Sequence, residues 1–286
     1  YYDKLTTFPA EQSVKILNPL SSDLNVMRQS LLFGGLESVA YNINRKHADL
    51  KLYEFGNCYY YNAGNKKEDE TLAAYSEDFH LGIWITGQQH TPSWELADHK
   101  TSFYELKAYV ENILRRMGVN LQKLNIVELQ NDLFSDALII QTNGGKQLAI
   151  SGIVHPNIRK QADIDQEVYF ADIQWNNVLK EIKRHKVQFS EIPRYPEVRR
   201  DLALLLDKEI TFARIEKIAF ETEKKLLKKV NLFDVYEGKN LEAGKKSYAI
   251  SFLLQDETKT LNDTQIEGIM KKLQSNYETK LGAKLR

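Results

Sequence analysis

Bulky apolar residues recur along this chain with two periods, and the places where the period changes set out its elements. Phe103, Leu106, Val110, Ile113, Leu114 and Met117 return every three or four residues. That spacing predicts a helix over 102–117 with one buried stripe, ended by Gly118. Leu32, Leu36, Val39, Ala40 and Ile43 predict another over 31–44. Gly34 and Gly35 inside it each cost about 1 kcal/mol relative to alanine, so close packing is expected there. Alternating or continuous apolar runs predict strands over 51–61, 81–87, 138–142, 147–154 and 168–173. Asn143-Gly144-Gly145-Lys146 is a hairpin turn between two of them, and Asn18-Pro19-Leu20-Ser21-Ser22-Asp23 is a turn cluster. Helices interspersed with hairpin-linked strands imply an α+β class with a largely antiparallel sheet.

The last ninety or so residues are more regular. Strands are predicted over 200–206, 230–236 and 247–255, helices over 211–222 and 262–277, and a short strand at Leu285-Arg286. This is the βαββαβ order of a ferredoxin-like domain. Asn262 and Gln265 form a capping box at the second helix, flanked by Leu261 and Ile266 as a staple; Ile210 and Ile215 bracket Thr211 likewise. Ile266, Ile269, Met270, Leu273 and Tyr277 form its buried stripe. Pro193 and Pro196 stiffen a connector, which places one domain over 1–190 and another over 193–286.

Composition narrows the class. With 42% hydrophobic and 27% charged residues, the chain reads as an ordinary soluble globular protein. No apolar run reaches the roughly 20 residues of a membrane span, and no secretory start is present. The one cysteine, Cys58, cannot make an internal disulfide; a cytoplasmic location and a buried structural thiol are expected. Net charge is zero, which argues against broad capture of nucleic acid, yet from Pro193 onward 19 Lys+Arg stand against 15 Asp+Glu. A modestly basic terminal domain fits a small phosphate footprint. The chain opens at Tyr1-Tyr2-Asp3-Lys4 without a methionine, so it is expected to be part of something longer.

Catalytic chemistry is not visible. His47, His80, His90, His99, His155 and His185 make no zinc-type spacing, and no metal site is expected. No G-x-S-x-G, P-loop or dinucleotide pattern occurs. Tyr53, Phe55, Tyr59 and Tyr61 alternate on one side of a strand and are expected in a core or an interface.

Strand parity is more telling in the terminal domain. Leu202, Leu204 and Leu206, with Tyr248, Ile250 and Phe252, should face the helices. Ala203, Ser247, Ala249 and Ser251 then line the opposite face and leave room for something flat. Phe233 and Val235 are expected inward, putting Asp234 and Tyr236 outward, although Leu232 then points out as well. Such a floor suits an unstacked base; an ordinary solvated or partner-covered sheet would show the same pattern.

Tyr195-Pro196, Arg200-Asp201-Leu202-Ala203, Leu232 to Gly238, Gly244-Lys245-Lys246-Ser247, Lys259 to Asp263 and Leu285-Arg286 resemble the ferredoxin-fold anticodon-binding domain of phenylalanyl-tRNA synthetase. Leu17 to Ser22, Met27 to Leu32, Asn42 to Arg45 and Leu52 to Gly56 resemble the degenerate class II catalytic-like domain of the bacterial β subunit in that family. The resemblance implies a class II synthetase-like antiparallel sheet with helices, followed by the ferredoxin-like domain. It implies contact of Ala203, Tyr236 and Ser247, with Asp234 adjacent, to the wobble base of the phenylalanine anticodon. Arg200, Lys245 and Lys246 are added as phosphate candidates. The parent enzyme would be an α2β2 heterotetramer that joins phenylalanine to tRNA(Phe) with ATP and magnesium. This chain would be catalytically inactive, hold no cofactor and pack on the α subunit. Arg28 lies where a synthetase-like turn would be, but no G-x-G-x-x-R sequence follows. The rivals are a single-chain organellar-type synthetase and a ferredoxin-like regulatory domain that binds a small molecule.

Overall fold

A computed structural model describes residues 1–2, 5–21, 24–91, 93–183, 185–189, 191–238 and 241–286. Asp3 and Lys4 of the opening segment, Ser22 and Asp23 of the expected turn cluster and Ser190 beside the connector lie outside the described residues. The chain divides into two compact units, Tyr1–Val187 and Gln188–Arg286.

The first unit is built on a six-stranded sheet. Its strands are β1 (Leu50–Tyr61), β2 (Tyr75–Thr86), β3 (Leu124–Leu129), β4 (Phe134–Thr142), β5 (Gln147–Val154) and β6 (Val168–Gln174), in the spatial order β1-β2-β6-β5-β4-β3. All neighbours run antiparallel. Its α-helices among the described residues are α1 (Leu32–Ile43), α2 (Phe103–Met117), α3 (Pro156–Gln161) and α4 (Trp175–Ile182). One core gathers Leu32, Leu36 and Val39 of α1 with Trp84, Phe134 and Phe170. Another gathers Leu106, Val110 and Leu114 of α2 and Val178 of α4 with Leu81, Ile83 and Ile85. Strand β2 is therefore covered on both faces, which is why His80–Thr86 reads as a continuous buried run without alternation. The packing expected at the two glycines is present at one of them. A Cβ at Gly35 would collide with the Trp84 indole, whereas nothing lies near Gly34. Gly118 ends α2 in the left-handed conformation, at φ 99°. The Asn143–Lys146 turn closes with Gly145 donating its N–H to the Thr142 carbonyl at 2.9 Å. Cys58 is wholly buried.

The aromatic row of β1 is not in the core, one of the two settings expected for it. Tyr53 and Phe55 are 75% and 45% exposed, and Tyr59 and Tyr61 are partly exposed, so the row is surface and not core. These side chains lie on the edge strand of the sheet.

The second unit has β7 (Val198–Asp207), α5 (Phe212–Thr222), β8 (Leu227–Tyr236), β9 (Lys245–Leu254), α6 (Asp263–Leu281) and β10 (Lys284–Leu285). The antiparallel sheet runs β10-β7-β9-β8, the ferredoxin-like arrangement. At the start of α6 the Asn262 side chain accepts from the Gln265 N–H at 2.9 Å and the Gln265 side chain accepts from the Asn262 N–H at 3.3 Å, so the capping box is complete. Leu261 and Ile266 both join the core. That core packs Ile215 and Ile218 of α5 and Ile266, Leu273 and Tyr277 of α6 onto Leu204, Leu206, Ile250 and Phe252. All of its β7 and β9 members share one parity, so the other side of the sheet carries no helix of this unit.

Candidate nucleic-acid interface

The register of the second sheet places its open-side residues in rows. Leu205, Ser247 and Tyr236 form one; Ala203, Ala249 and Asp234 the next; Asp201, Ser251 and Asn231 the third; Arg199, Leu253 and Lys229 the fourth. Directly opposed residues in an antiparallel pair share a face, so each row crosses the side turned away from α5 and α6. Ala203, Asp234, Tyr236 and Ser247 thus stand together on one face. Ser247 is nevertheless only 6% exposed. Its cover comes from the open side, because its β9 neighbours Tyr248 and Ile250 are the ones that meet the helices.

One contributor to that cover is a residue the sequence reading did not single out. Arg286 donates its backbone N–H to the Ala203 carbonyl at 3.0 Å, which extends the pairing of β10 with β7. Its guanidinium sits 5.1 Å from the centroid of the Tyr236 ring. Strands β7 and β9 lie between those two residues, so the side chain crosses above the Ala203–Ala249 floor. The small-residue floor is present on the open side and is spanned by an arginine. The short side chains of Ala203 and Ala249 leave room for that crossing. Gly238 serves the same geometry from the other side: a Cβ there would run into the Tyr236 ring.

Strand β8 departs from simple alternation. A bulge lies between Leu232 and Asp234, so that Leu232 opposes Ile250 and packs on the core, while Asp234 opposes Ala249. Phe233 is the extra residue and is 49% exposed, and Val235 is 50% exposed. The inward placement expected for Phe233 and the outward one for Leu232 are therefore reversed. The cause is the added residue, which shifts parity by one.

The three cationic candidates separate. Lys245 is on the open side, ion-paired with Asp207 at 2.7 Å. Arg200 opposes Phe252, which puts it on the helix side, within 3.9 Å of Asp263 at the start of α6. Lys246 opposes Leu206, is 6% exposed and holds its ammonium 4.5 Å from the Tyr248 ring centroid. Arg200 and Lys246 are thus corrected: the period of two that aims Ala203 and Ser247 outward aims their neighbours inward. The open side instead carries Arg199, which shares parity with Asp201 and Ala203 and could have been found from that spacing. Arg286 was legible only as part of the terminal motif, since its reach depends on which strands pair.

Elsewhere the first unit offers a groove of about 650 Å³ between β1, β2, α2 and α4, walled by Tyr53, Phe55, Ile83, Tyr109, Ile113 and Trp175. Lys51 closes one end through Glu105 at 2.7 Å. Arg28 pairs with Glu54 at 2.6 Å and donates to the Asn57 carbonyl at 2.9 Å. The Arg28 guanidinium is thus engaged within its own unit. Among the described residues no three His, Cys, Asp or Glu side chains gather as metal ligands, and no helix is long and apolar enough to cross a membrane.

A two-unit α+β protein whose terminal ferredoxin-like sheet keeps one open face is the class this combination defines. The family model for the ferredoxin-fold anticodon binding domain matches residues 193–286, and that for the phenylalanyl tRNA synthetase beta chain CLM domain matches residues 1–175. The chain belongs to the phenylalanyl-tRNA synthetase beta-chain family. It is 60% identical over 286 residues to the phenylalanine–tRNA ligase beta subunit of Bacteroides fragilis, 59% to that of Bacteroides thetaiotaomicron and 50% to that of Porphyromonas gingivalis. In each case all of this chain and 35% of the relative is covered, so the chain spans about a third of the length of these relatives. A solved pyrrolysyl-tRNA synthetase from Desulfitobacterium hafniense aligns at a TM-score of 0.42 with 15% identity, over 61% of this chain and 54% of that one, which is too slight a likeness to argue from.

Proposed function

We propose that this chain acts within a phenylalanine–tRNA ligase as a non-catalytic part of the β subunit. Its second unit, residues 193–286, holds the anticodon of tRNA(Phe), and the first, residues 1–190, packs on a catalytic α subunit. The observation that carries the reading is the open side of the β7–β9 sheet. There Ala203 and Ala249 keep a floor low enough for a base, and Tyr236 offers a ring to stack on. Ser247 and Asp234 offer hydrogen-bonding groups for its edge. Lys245, Arg199 and Arg286 supply positive charge on that side, suited to the backbone phosphates that position an RNA. Arg286 must swing off Tyr236, or the base must enter between them, in which case the guanidinium plane becomes a second stacking surface.

The exposed aromatic edge of the first unit and its apolar groove support assembly with another protein chain. The whole enzyme, an α2β2 heterotetramer in the cytoplasm, would join phenylalanine to tRNA(Phe), with ATP and magnesium held by the α subunit. Reconstitution tests this. The full-length protein mixed with the α subunit should charge tRNA(Phe) with phenylalanine, and neither chain alone should do so. Charging by this chain alone would contradict the assignment.

A further inference from the structure

We propose that the open face carries a second nucleotide station, built on Phe233 and Arg199, which stacks a base flanking the one taken at Tyr236. The proposal rests on the reading of this face as an RNA platform and extends it from one nucleotide to two.

Four observations point to it. The Arg199 guanidinium lies 5.1 Å from the Phe233 ring centroid, although β9 separates their strands. Arg199 shares parity with Ala203, so it reaches Phe233 by crossing above β9 on the open side. Phe233 is turned out by the β8 bulge and half exposed, an unusual position for a large ring within a sheet; bulges of this kind re-aim a side chain. Asp201 accepts from Arg199 Nε at 2.9 Å and from a terminal nitrogen at 3.1 Å. That two-point grip fixes the guanidinium plane and leaves its flat face for stacking. Beneath runs the row of Asp201, Ser251 and Asn231, whose polar groups suit a base edge.

Spacing sets how many bases fit. Adjacent rows are two residues apart, about 6.5–7 Å along the strands. Stacked bases rise only about 3.4 Å. The two rings therefore take bases pulled apart from one another, each on its own aromatic, as single-stranded RNA is usually read. Exposed Lys229, one row further on, extends the charged track beyond Phe233.

The test uses the full-length protein assembled with its catalytic chain and fluorescence anisotropy on the phenylalanine anticodon stem-loop. The RNAs are the intact loop, the loop abasic at the wobble position and loops abasic at each neighbour. Phe233→Ala should weaken binding of the intact loop about 5- to 160-fold, the range for losing one stacked base. It should cause no further loss on a loop lacking one particular neighbour of the wobble base. Phe233→Tyr, which keeps the ring, should bind as the wild type does. An equal loss on every abasic loop would overturn the second station, because it would mark a general disturbance of the sheet. So would wild-type affinity for Phe233→Ala alongside a loss for Tyr236→Ala, a result that leaves the first station standing. If neither variant changes affinity, the platform reading itself falls.

Discussion

Two adjacent residues on β7 separate the covered side of the terminal sheet from the open one. Leu204 is 1% exposed and sits in the core with α5 and α6. Ala203, next to it, opposes Ala249 on the far side. Leu204→Ala removes buried methyl groups and leaves a cavity, at a cost of about 2–5 kcal/mol. In a unit of this size each kcal/mol lowers the melting temperature by about 4–8 °C, so the drop should be roughly 8–40 °C. Ala203→Leu adds bulk where no helix packs, and should cost no more than the exposed cation–π contact it displaces, about 0.5–1 kcal/mol. The same change fills the floor under Arg286 and blocks a base, so affinity for the anticodon stem-loop should fall by about 1–3 kcal/mol. Calorimetry of the full-length protein reads the first effect in the transition of the terminal unit, and anisotropy reads the second. If Ala203→Leu destabilises as severely as Leu204→Ala, the two faces are not distinct and the reasoning fails.

Other consequences are narrower. Arg286→Ala removes the cation above Tyr236 and should weaken RNA binding by about 0.5–2 kcal/mol; unchanged affinity would make Arg286 a cover only. Asn262→Ala breaks the capping box of α6 and should cost about 0.5–2 kcal/mol in denaturant titrations, with RNA affinity otherwise intact. Burial first, and then the nearby Asp172 charge, pushes the Cys58 thiol up to about 12. The unfolded thiol ionises near 8.5, so burial favours the protonated native form. Its stabilising share is complete below about 8.5 and is lost as pH climbs through the window up to about 12. At pH 8 iodoacetamide should therefore label Cys58 slowly in the native protein and quickly in urea; equal rates would show that the site is open.

How far the chain could be read follows from what each element depends on. Helix α2, the Asn143–Lys146 hairpin and the α6 capping box were legible because their signals are local and periodic. Strand β2 starts six residues before its apolar run, since Tyr75–His80 is held by pairing with β1. Strand β3 was not foreseen because it lies at the sheet edge with most side chains in solvent. Helices α3 and α4, of six and eight residues, are too short to show a helical period. At the candidate site, Ala203 and Ser247 could be aimed by parity because β7 and β9 pair without interruption. Phe233 could not, since a bulge leaves no trace in the apolar pattern. The reach of Arg199 and Arg286 across intervening strands depends on strand order, which no local spacing encodes.

The central claim is that the open β7–β9 face with Tyr236 selects the phenylalanine anticodon. The most direct measurement is filter binding of the full-length, assembled protein to two stem-loops, one with the phenylalanine anticodon and one with the same loop bases permuted. The account predicts tighter binding of the first, with Tyr236→Ala erasing about 1–3 kcal/mol of that preference while the fold is retained. Equal affinity for the two loops, or a preference that survives Tyr236→Ala unchanged, would contradict it.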